Sequence, residues 1–337
     1  MTGSFLVAGR RPAIAAALIA SLTGLPGWLR PAAAAEQWNF YMHQSAPVFA
    51  TSRGAKLFTE EIEKATGGEL KVRLHLAGTL QINASNITQA VGENIVQMGD
   101  DLFNSGNIVV AGIPRLPMLI QTYEDFAKAD EVLAPYIEKA FARKGVTVLA
   151  SYTYPLQFVW GRKKLESLDD IKGMKLRVAQ PEQGELVRRF GGVSITMSAP
   201  EVPSALDRGV VDGIFTAGVG AVLWKDLLKY AFVMIVNVNN SYFIVNTDAY
   251  GKLSPDLQAK LRQTAQTAAR WDQDTMKKEE AESVELLKSA GYTFTAAKTE
   301  EVARATDAVK PYWDEWAKAR GPEVVEALGK VRAALGR

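Results

Sequence analysis

The chain has 337 residues, no cysteine, two histidines and a formal net charge of +2 at pH 7. The lack of cysteine excludes disulfides, thiol catalysis and thiolate metal sites. The near-neutral charge argues against a nucleic-acid-binding surface. A chain of this length, with 47% hydrophobic residues, can bury a large core, and we expect it to form two domains.

The first 35 residues have the composition of an export signal. Arg10 and Arg11 precede an apolar run over 13–22, and the segment closes with an Ala-x-Ala pattern at Ala35. The apolar run is too short to span a bilayer. Removing 1–35, which holds three arginines and no acidic residue, changes the formal charge from +2 to −1. We therefore expect a signal peptide and a periplasmic mature protein, exported by the Sec or the twin-arginine route.

The pattern after the signal predicts an open parallel sheet. Residues 38–42 have the composition of a strand, and a helix with apolar residues at helical spacing follows and ends at Gly67. Residues 70–76 alternate apolar and polar side chains, as a half-buried strand does. A further helix near 84–92 and a strand near 94–99 complete a βαβαβ order, which implies a parallel sheet covered by helices.

Two strand-rich segments predict the connections between two domains. Residues 146–160, interrupted by Pro155, would carry the chain into a second domain, and residues 233–246 would carry it back. Between them we expect strands near 175–179, 193–196 and 211–215. The predicted fold is α/β with two lobes, and its division is lobe I over 36–155 and 241–337, and lobe II over 156–240.

A long helix is predicted late in the chain. Ser254, Pro255 and Asp256 supply a cap, an N1 proline and a first-turn acid, and neither glycine nor proline follows until Gly291. At ~1.5 Å per residue such a helix is ~50 Å long, more than the width of one small domain. Polar residues interrupt any heptad seam. We therefore expect a helix over about 256–290 that spans both lobes.

Enzyme motifs are missing from the sequence. It has no His-Glu-x-x-His, no phosphate loop and no Gly-x-Ser-x-Gly elbow, and two histidines do not make a zinc site. Gly218-Val-Gly220 begins like a dinucleotide fingerprint, but Leu223 stands where the third glycine belongs, so we interpret it as a flexible turn. No catalytic residue, metal or cofactor is expected.

One arginine stands out in a short strand. Ser167 and Asp170 have capping-box spacing, Gly173 predicts the end of a helical turn, and Arg177 lies in the strand that follows. A guanidinium in such a strand must find an anion or reach water. It either forms a structural ion pair or awaits a ligand carboxylate, which it matches with two parallel hydrogen bonds. The segment by itself favours the ion pair.

The arginine segment and a second one, APEVPSALDRGVVDG over 199–213, resemble the DctP-type solute-binding proteins of TRAP transporters. Further matching segments are EEIEKATGGELKVRLHLAGTL over 60–80, Leu116-Pro117, and LSPDLQ over 253–258. The resemblance covers residues 36–320. It implies the two-lobed fold of periplasmic binding proteins, and it implies an extracytoplasmic receptor that binds a small organic acid between the two lobes and passes it to a membrane permease.

The resemblance also implies a ligand site. Arg177 matches the arginine that clamps the ligand carboxylate in the family, while Gln157 replaces a frequent second arginine and Thr216 a frequent asparagine. These changes favour a monocarboxylate with an apolar or aromatic body over a C4-dicarboxylate or sialic acid. The expected ligand contacts are Arg177, Gln157, Gln180, Thr216, Phe215, Asn240, Tyr154, Asp100 and His43. For Asp100 and His43, helix or turn capping is the alternative role.

Three other functions remain open at this point. A zwitterionic, osmolyte-like solute would place its cation among the aromatic rings and its carboxylate on Arg177. A periplasmic enzyme acting on organic acids would need a nucleophile or metal set that the sequence does not display. A sensor-linked receptor would have the same fold. The sequence does not decide the oligomeric state.

Overall fold

The computed structural model describes residues 35–197 and 199–337, so the expected signal peptide lies outside the described residues except for Ala35. The strands are β1 (Glu36–Met42), β2 (Leu70–His75), β3 (Met98–Asp101), β4 (Val146–Thr153), β5 (Gln157–Gly161), β6 (Lys175–Val178), β7 (Val193–Thr196), β8 (Gly213–Thr216), β9 (Tyr230–Asn237), β10 (Asn240–Asn246) and β11 (Thr293–Ala296). The α-helices are α1 (Ala50–Ala65), α2 (Ile87–Gly92), α3 (Tyr123–Ala142), α4 (Gln183–Arg189), α5 (Val202–Asp207), α6 (Gly218–Val222), α7 (Thr247–Lys252), α8 (Pro255–Ser289), α9 (Thr299–Lys318) and α10 (Pro322–Leu335).

The strands form two sheets. The first has the order β2-β1-β3-β10-β4, with β1 parallel to both β2 and β3 and with β10 antiparallel to its neighbours. The second has the order β11-β9-β5-β8-β6-β7. The predicted parallel opening and the predicted α/β class are confirmed.

Three local predictions differ from the structure. β3 begins at Met98 because Asn94, at φ 56°, makes a tight turn after α2 and leaves Ile95 exposed. Residues 218–222 form a short helix, α6, where a turn was predicted. β11 pairs with β9 in the second sheet, although the predicted division places 241–337 in lobe I. The cause is α8, whose carboxyl end delivers the chain to the second sheet.

The long helix α8 confirms the predicted bridge. Ser254 Oγ caps it by accepting a hydrogen bond from the Leu257 N–H at 3.3 Å, and Pro255 occupies its first turn. The helix is 35 residues long. It packs against α1 and β4 beside the first sheet and against α6 beside the second. It therefore joins the two sheets by direct contact.

The two sheets also share apolar packing. One buried cluster contains Tyr41 and Ile244 of the first sheet together with Val178 and Phe215 of the second, and Trp313 of α9 lies among them. Across residues 35–197 and 199–337, every helix is too short or too polar to cross a membrane.

Candidate ligand-binding site

The strand that carries Arg177 forms for the local reasons predicted. The capping box is present, with Asp170 Oδ2 accepting from the Ser167 N–H at 2.9 Å, and Gly173 takes a φ of 77° that favours glycine. Leu176 and Val178 are fully buried on one face of β6. Their burial fixes the strand and leaves Arg177 on the opposite face.

Arg177 is buried, with only 5% of its surface exposed. Its Nε donates to the Met197 carbonyl at 3.0 Å and its Nη1 to the Phe215 carbonyl at 3.3 Å. Burial lowers the pKa of Arg177 to about 10, and the charge of Glu201 acts in the opposite direction. The guanidinium therefore stays protonated at pH 7. Its described hydrogen bonds go to carbonyl groups, so a carboxylate would still improve its electrostatic surroundings.

Gln183, which the sequence analysis missed, gathers the predicted glutamines. Its Oε1 accepts from the Ala179 N–H at 2.9 Å and from the Gln180 N–H at 3.2 Å, just after β6. Its Nε2 donates to Gln157 Oε1 and, at 3.0 Å, to Asn237 Oδ1. Gln157 and Gln180 thus lie at one corner of the second sheet. The sequence indicated a role for Gln183 only through its position shortly after β6, because open α/β folds bind their ligands beyond the ends of the strands.

Thr216 and Phe215 end the neighbouring strand β8. Thr216 lies opposite Phe158 of β5, and its carbonyl accepts from Trp160 Nε1 at 3.1 Å. The Phe215 ring is fully buried in the apolar core, while its carbonyl oxygen meets Arg177. Of these two predicted contacts, Thr216 lies at the strand end beside the arginine, whereas Phe215 supports the arginine through its main chain.

Three other predicted residues meet at the first sheet. Tyr154 Oη lies 2.9 Å from His43 Nε2, and His43 Nδ1 lies 3.4 Å from the Asp100 carbonyl oxygen. The Asp100 carboxylate accepts hydrogen bonds from Tyr152 Oη, at 2.8 Å, and from Ser241 Oγ. Burial raises the pKa of Asp100 to about 7. His43, Tyr154 and Asp100 therefore belong to one buried polar network.

The connections between the strands join this network to the corner of the second sheet that contains Arg177. Tyr154 follows β4 and its N–H donates to the Asn239 carbonyl at 2.8 Å, while Gln157 and Asn237 are register partners in β5 and β9. The two chain crossings between the sheets therefore run side by side. The predicted ligand contacts therefore form two groups. One lies around His43 at the first sheet, and the other lies around Arg177 at the second sheet, with the two crossings between them.

We expect His43 to stay neutral across the physiological pH range. Burial lowers its pKa to about 4, against 6.5 for the free side chain. A neutral ring with its proton on Nδ1 donates to the Asp100 carbonyl and accepts from Tyr154. Histidine NMR signals recorded from pH 5 to 8 should show no titration of His43, whose signal is assigned by a His43→Gln variant. A midpoint near 6.5 would contradict this assignment.

Asn240 lies at the junction, beside a second buried arginine. Its Nδ2 donates to Tyr242 Oη, and its carbonyl accepts from Arg115 Nη2 at 3.3 Å. Arg115 is fully buried, and Nη1 donates to Ser105 Oγ at 3.1 Å. Sequence reasoning missed Arg115. Arg115 is the single charged residue within the apolar segment 108–120. A charge in a buried segment requires polar partners, so this pattern could have predicted a structured site around Arg115.

The fold and the site together define the class of two-lobed solute-binding proteins. The two sheets are joined by two adjacent chain crossings and by a long helix, and a buried arginine lies at the end of a strand. The model of the family described as bacterial extracellular solute-binding protein, family 7 (DctP), matches residues 42–319. The chain therefore belongs to this family, which is one of solute receptors.

Named relatives agree with this assignment, and a solved structure shares the fold. The C4-dicarboxylate-binding periplasmic protein DctP of Rhodobacter capsulatus is 26% identical over 86% of this chain and 89% of the relative. The sialic acid-binding periplasmic protein SiaP of Vibrio cholerae is 24% identical over 81% of this chain and 86% of the relative. The crystal structure of DctP6 of Bordetella pertussis, a receptor binding pyroglutamic acid, has a TM-score of 0.80 at 22% identity and covers 88% of this chain and 100% of that one.

Proposed function

We propose that this protein is the extracytoplasmic receptor of a TRAP transporter and that it binds a small organic monocarboxylate between its two lobes. Arg177 holds the carboxylate through its guanidinium. Gln157, Gln180 and Thr216 bond the other polar groups of the ligand, and lobe closure is a hinge motion in the paired crossings at 153–157 and 237–240.

The observation that carries this proposal is the state of Arg177. The side chain is buried at the end of a parallel strand, and the hydrogen bonds described for it go to carbonyl groups of Met197 and Phe215. The nearby charge of Glu201 offsets part of the cost of burying this positive charge, and an anion bound in the site would offset more of it. A carboxylate supplies both the charge and a matching pair of acceptor atoms.

A second candidate ligand carries a donor group, such as an ammonium or an amide N–H, beside its carboxylate. Within the described part of the chain, the side-chain oxygens Asp101 Oδ1, Asn239 Oδ1 and Asn240 Oδ1 are buried and have no hydrogen-bond partner. Donor groups would satisfy such oxygens. This observation favours an amino-acid-like or lactam solute over a purely apolar acid.

A thermal-shift screen tests both candidates. Its panel contains pyroglutamate, D-glucuronate, D-galacturonate, succinate, sialic acid and glycine betaine, and calorimetry follows every positive result. Stabilisation by monocarboxylates supports the proposal, and preference for pyroglutamate over acids without N–H groups supports the second candidate. Stabilisation by succinate alone would contradict the monocarboxylate assignment, and stabilisation by sialic acid alone would contradict the expectation that the site disfavours that acid. Turnover of any probe would indicate an enzyme.

The export signal and the transport partner belong to the same proposal. Residues 1–35 would direct the chain out of the cytoplasm, and a TRAP membrane permease would accept the ligand from the closed receptor. Mass spectrometry of the protein recovered from periplasm would find Glu36 at its amino terminus. An amino terminus at Met1 would contradict the signal peptide.

A further inference from the structure

The long helix α8 touches the end of strand β8 through one carboxylate. Glu280 Oε1 accepts from the Gly218 N–H at 2.7 Å, and Oε2 accepts from the Val219 N–H at 2.9 Å. Both donors lie just after Thr216, at the beginning of α6. Hydrogen bonds from main-chain N–H groups to a carboxylate are among the stronger ones in proteins. One side chain of α8 therefore holds the turn that follows a candidate ligand contact.

The packing of this turn leaves little freedom. A Cβ atom on Gly218 would lie 2.9 Å from Glu280 Oε1 and 3.0 Å from Val284 Cγ2. A Cβ atom on Gly220 would lie 2.2 Å from Thr216 Oγ1. Glycine is thus needed at both positions by close approach. The carboxylate of Glu280 presses on one side of the turn, and the Thr216 hydroxyl lies against the other.

The helix α8 also contacts the end of strand β4 in the first sheet. Gln273 Oε1 accepts from the Thr153 N–H at 3.3 Å, at the end of β4 and next to Tyr154. Positions 273 and 280 are seven residues apart, which is two helical turns, so both side chains lie on one face of α8. The helix therefore links the strand ends that carry Tyr154 and Thr216.

We propose that Glu280 is a positioning residue for ligand binding, which it serves by fixing the 217–219 turn and with it the hydroxyl of Thr216. The inference rests on the proposed function, because it concerns the same site. Glu280 itself does not touch the ligand. Its loss leaves two main-chain N–H groups without their acceptor and lets Thr216 move away from the geometry that suits the bound acid.

The test compares two glutamates of α8 by calorimetry and stopped-flow dissociation. Glu280→Gln keeps the size of the side chain but presents an amide donor to one of the two N–H groups. We expect it to raise the Kd about tenfold, mainly through faster dissociation, and Glu280→Ala to raise it further. Glu282→Gln removes the same charge from an exposed site, where the structure shows an ion pair between Glu282 and Lys278 at 3.9 Å, and should bind as the wild type does.

A double-mutant cycle separates positioning from general destabilisation. Gly218→Ala, whose new methyl group would displace the Glu280 carboxylate, should weaken binding in the wild type but add little in the Glu280→Ala background. Chemical denaturation of the ligand-free variants is measured beside it. A role limited to stability would lower the unfolding midpoint and leave the Kd unchanged.

The outcomes distinguish this inference from the proposed function. The probes are pyroglutamate and D-glucuronate, with the Arg177→Ala variant measured in the same series. If the wild type binds and Arg177→Ala does not, while Glu280→Gln and Glu280→Ala bind like the wild type, the positioning role is wrong and the receptor function stands. If the wild type binds no carboxylate, the proposed function fails and this inference fails with it.

Discussion

Arg177→Ala is expected to raise the Kd for the carboxylate ligand by about thirtyfold to several thousandfold. The guanidinium is buried, remains charged at pH 7 and lies at the end of β6 beside Gln180 and Thr216. Removing one partner of a buried charge pair typically costs about 2–5 kcal/mol, partly because the other charge is left unpaired. Calorimetry with the carboxylate found in the screen measures this loss directly.

Two further variants make the result specific. Arg177→Lys keeps the positive charge but lacks the planar fork, so its affinity should fall between those of the wild type and the alanine variant. Arg208→Ala removes an exposed arginine after α5, whose Nε donates to the Ser204 carbonyl at 3.3 Å, and should leave binding unchanged. Equal affinity of Arg177→Ala and wild type would remove Arg177 from the site.

The elements of the fold could be predicted because their signals are local. The cap at Ser254, the proline at 255 and the uninterrupted helical run fixed α8 without any tertiary information. The strand β11 could not be predicted, because four residues carry too little pattern and its partner β9 lies more than fifty residues earlier in the chain. The predicted start of β3 was wrong because Asn94 has a positive φ, and a single sequence does not show which asparagine adopts that conformation.

The site was harder to predict than the fold. Arg177 could be singled out because a charge within a short apolar strand needs a partner, and the resemblance to the DctP family predicts a ligand carboxylate as that partner. Gln183, Arg115 and Glu280 were missed because their roles depend on contacts across 26 to 125 positions of the chain. Phe215 illustrates a different difficulty. An aromatic residue in a strand is as suited to the core as to a binding cleft, and only the packing shows that its ring is in the core.

Asp272→Asn is expected to stabilise the protein at alkaline pH. Asp272 of α8 is fully buried, and both of its carboxylate oxygens lack a hydrogen-bond partner among the described residues. A Cβ atom on Gly54 would lie 1.9 Å from Oδ1, so the carboxyl group rests directly against α1. Burial, aided by the nearby charge of Asp100 and opposed by Arg53, raises the pKa of Asp272 to about 9. The native state therefore favours the neutral acid.

The sign of the pH dependence follows from proton binding. Between pH 3.8, the ordinary pKa of the side chain, and about 9, the folded protein holds a proton that the unfolded chain has released. The free energy of unfolding therefore falls as the pH rises through this window. Asparagine has nearly the same size and does not titrate, so the variant should be more stable by about 2–4 kcal/mol at pH 8, allowing for the burial penalty of the amide itself.

Urea denaturation at pH 8 and at pH 4 measures this difference. At pH 4 the gain should nearly vanish, because Asp272 stays protonated in the folded protein and only about half of the unfolded chains, whose side chain keeps its ordinary pKa of 3.8, have released the proton. Asp274→Asn, on the exposed face of the same helix, is the matched control and should change stability by no more than about 0.5 kcal/mol at either pH. Greater destabilisation of Asp272→Asn at pH 8 than at pH 4 would show that the carboxylate is ionised and paired in solution, because the burial penalty of the amide is the same at both pH values.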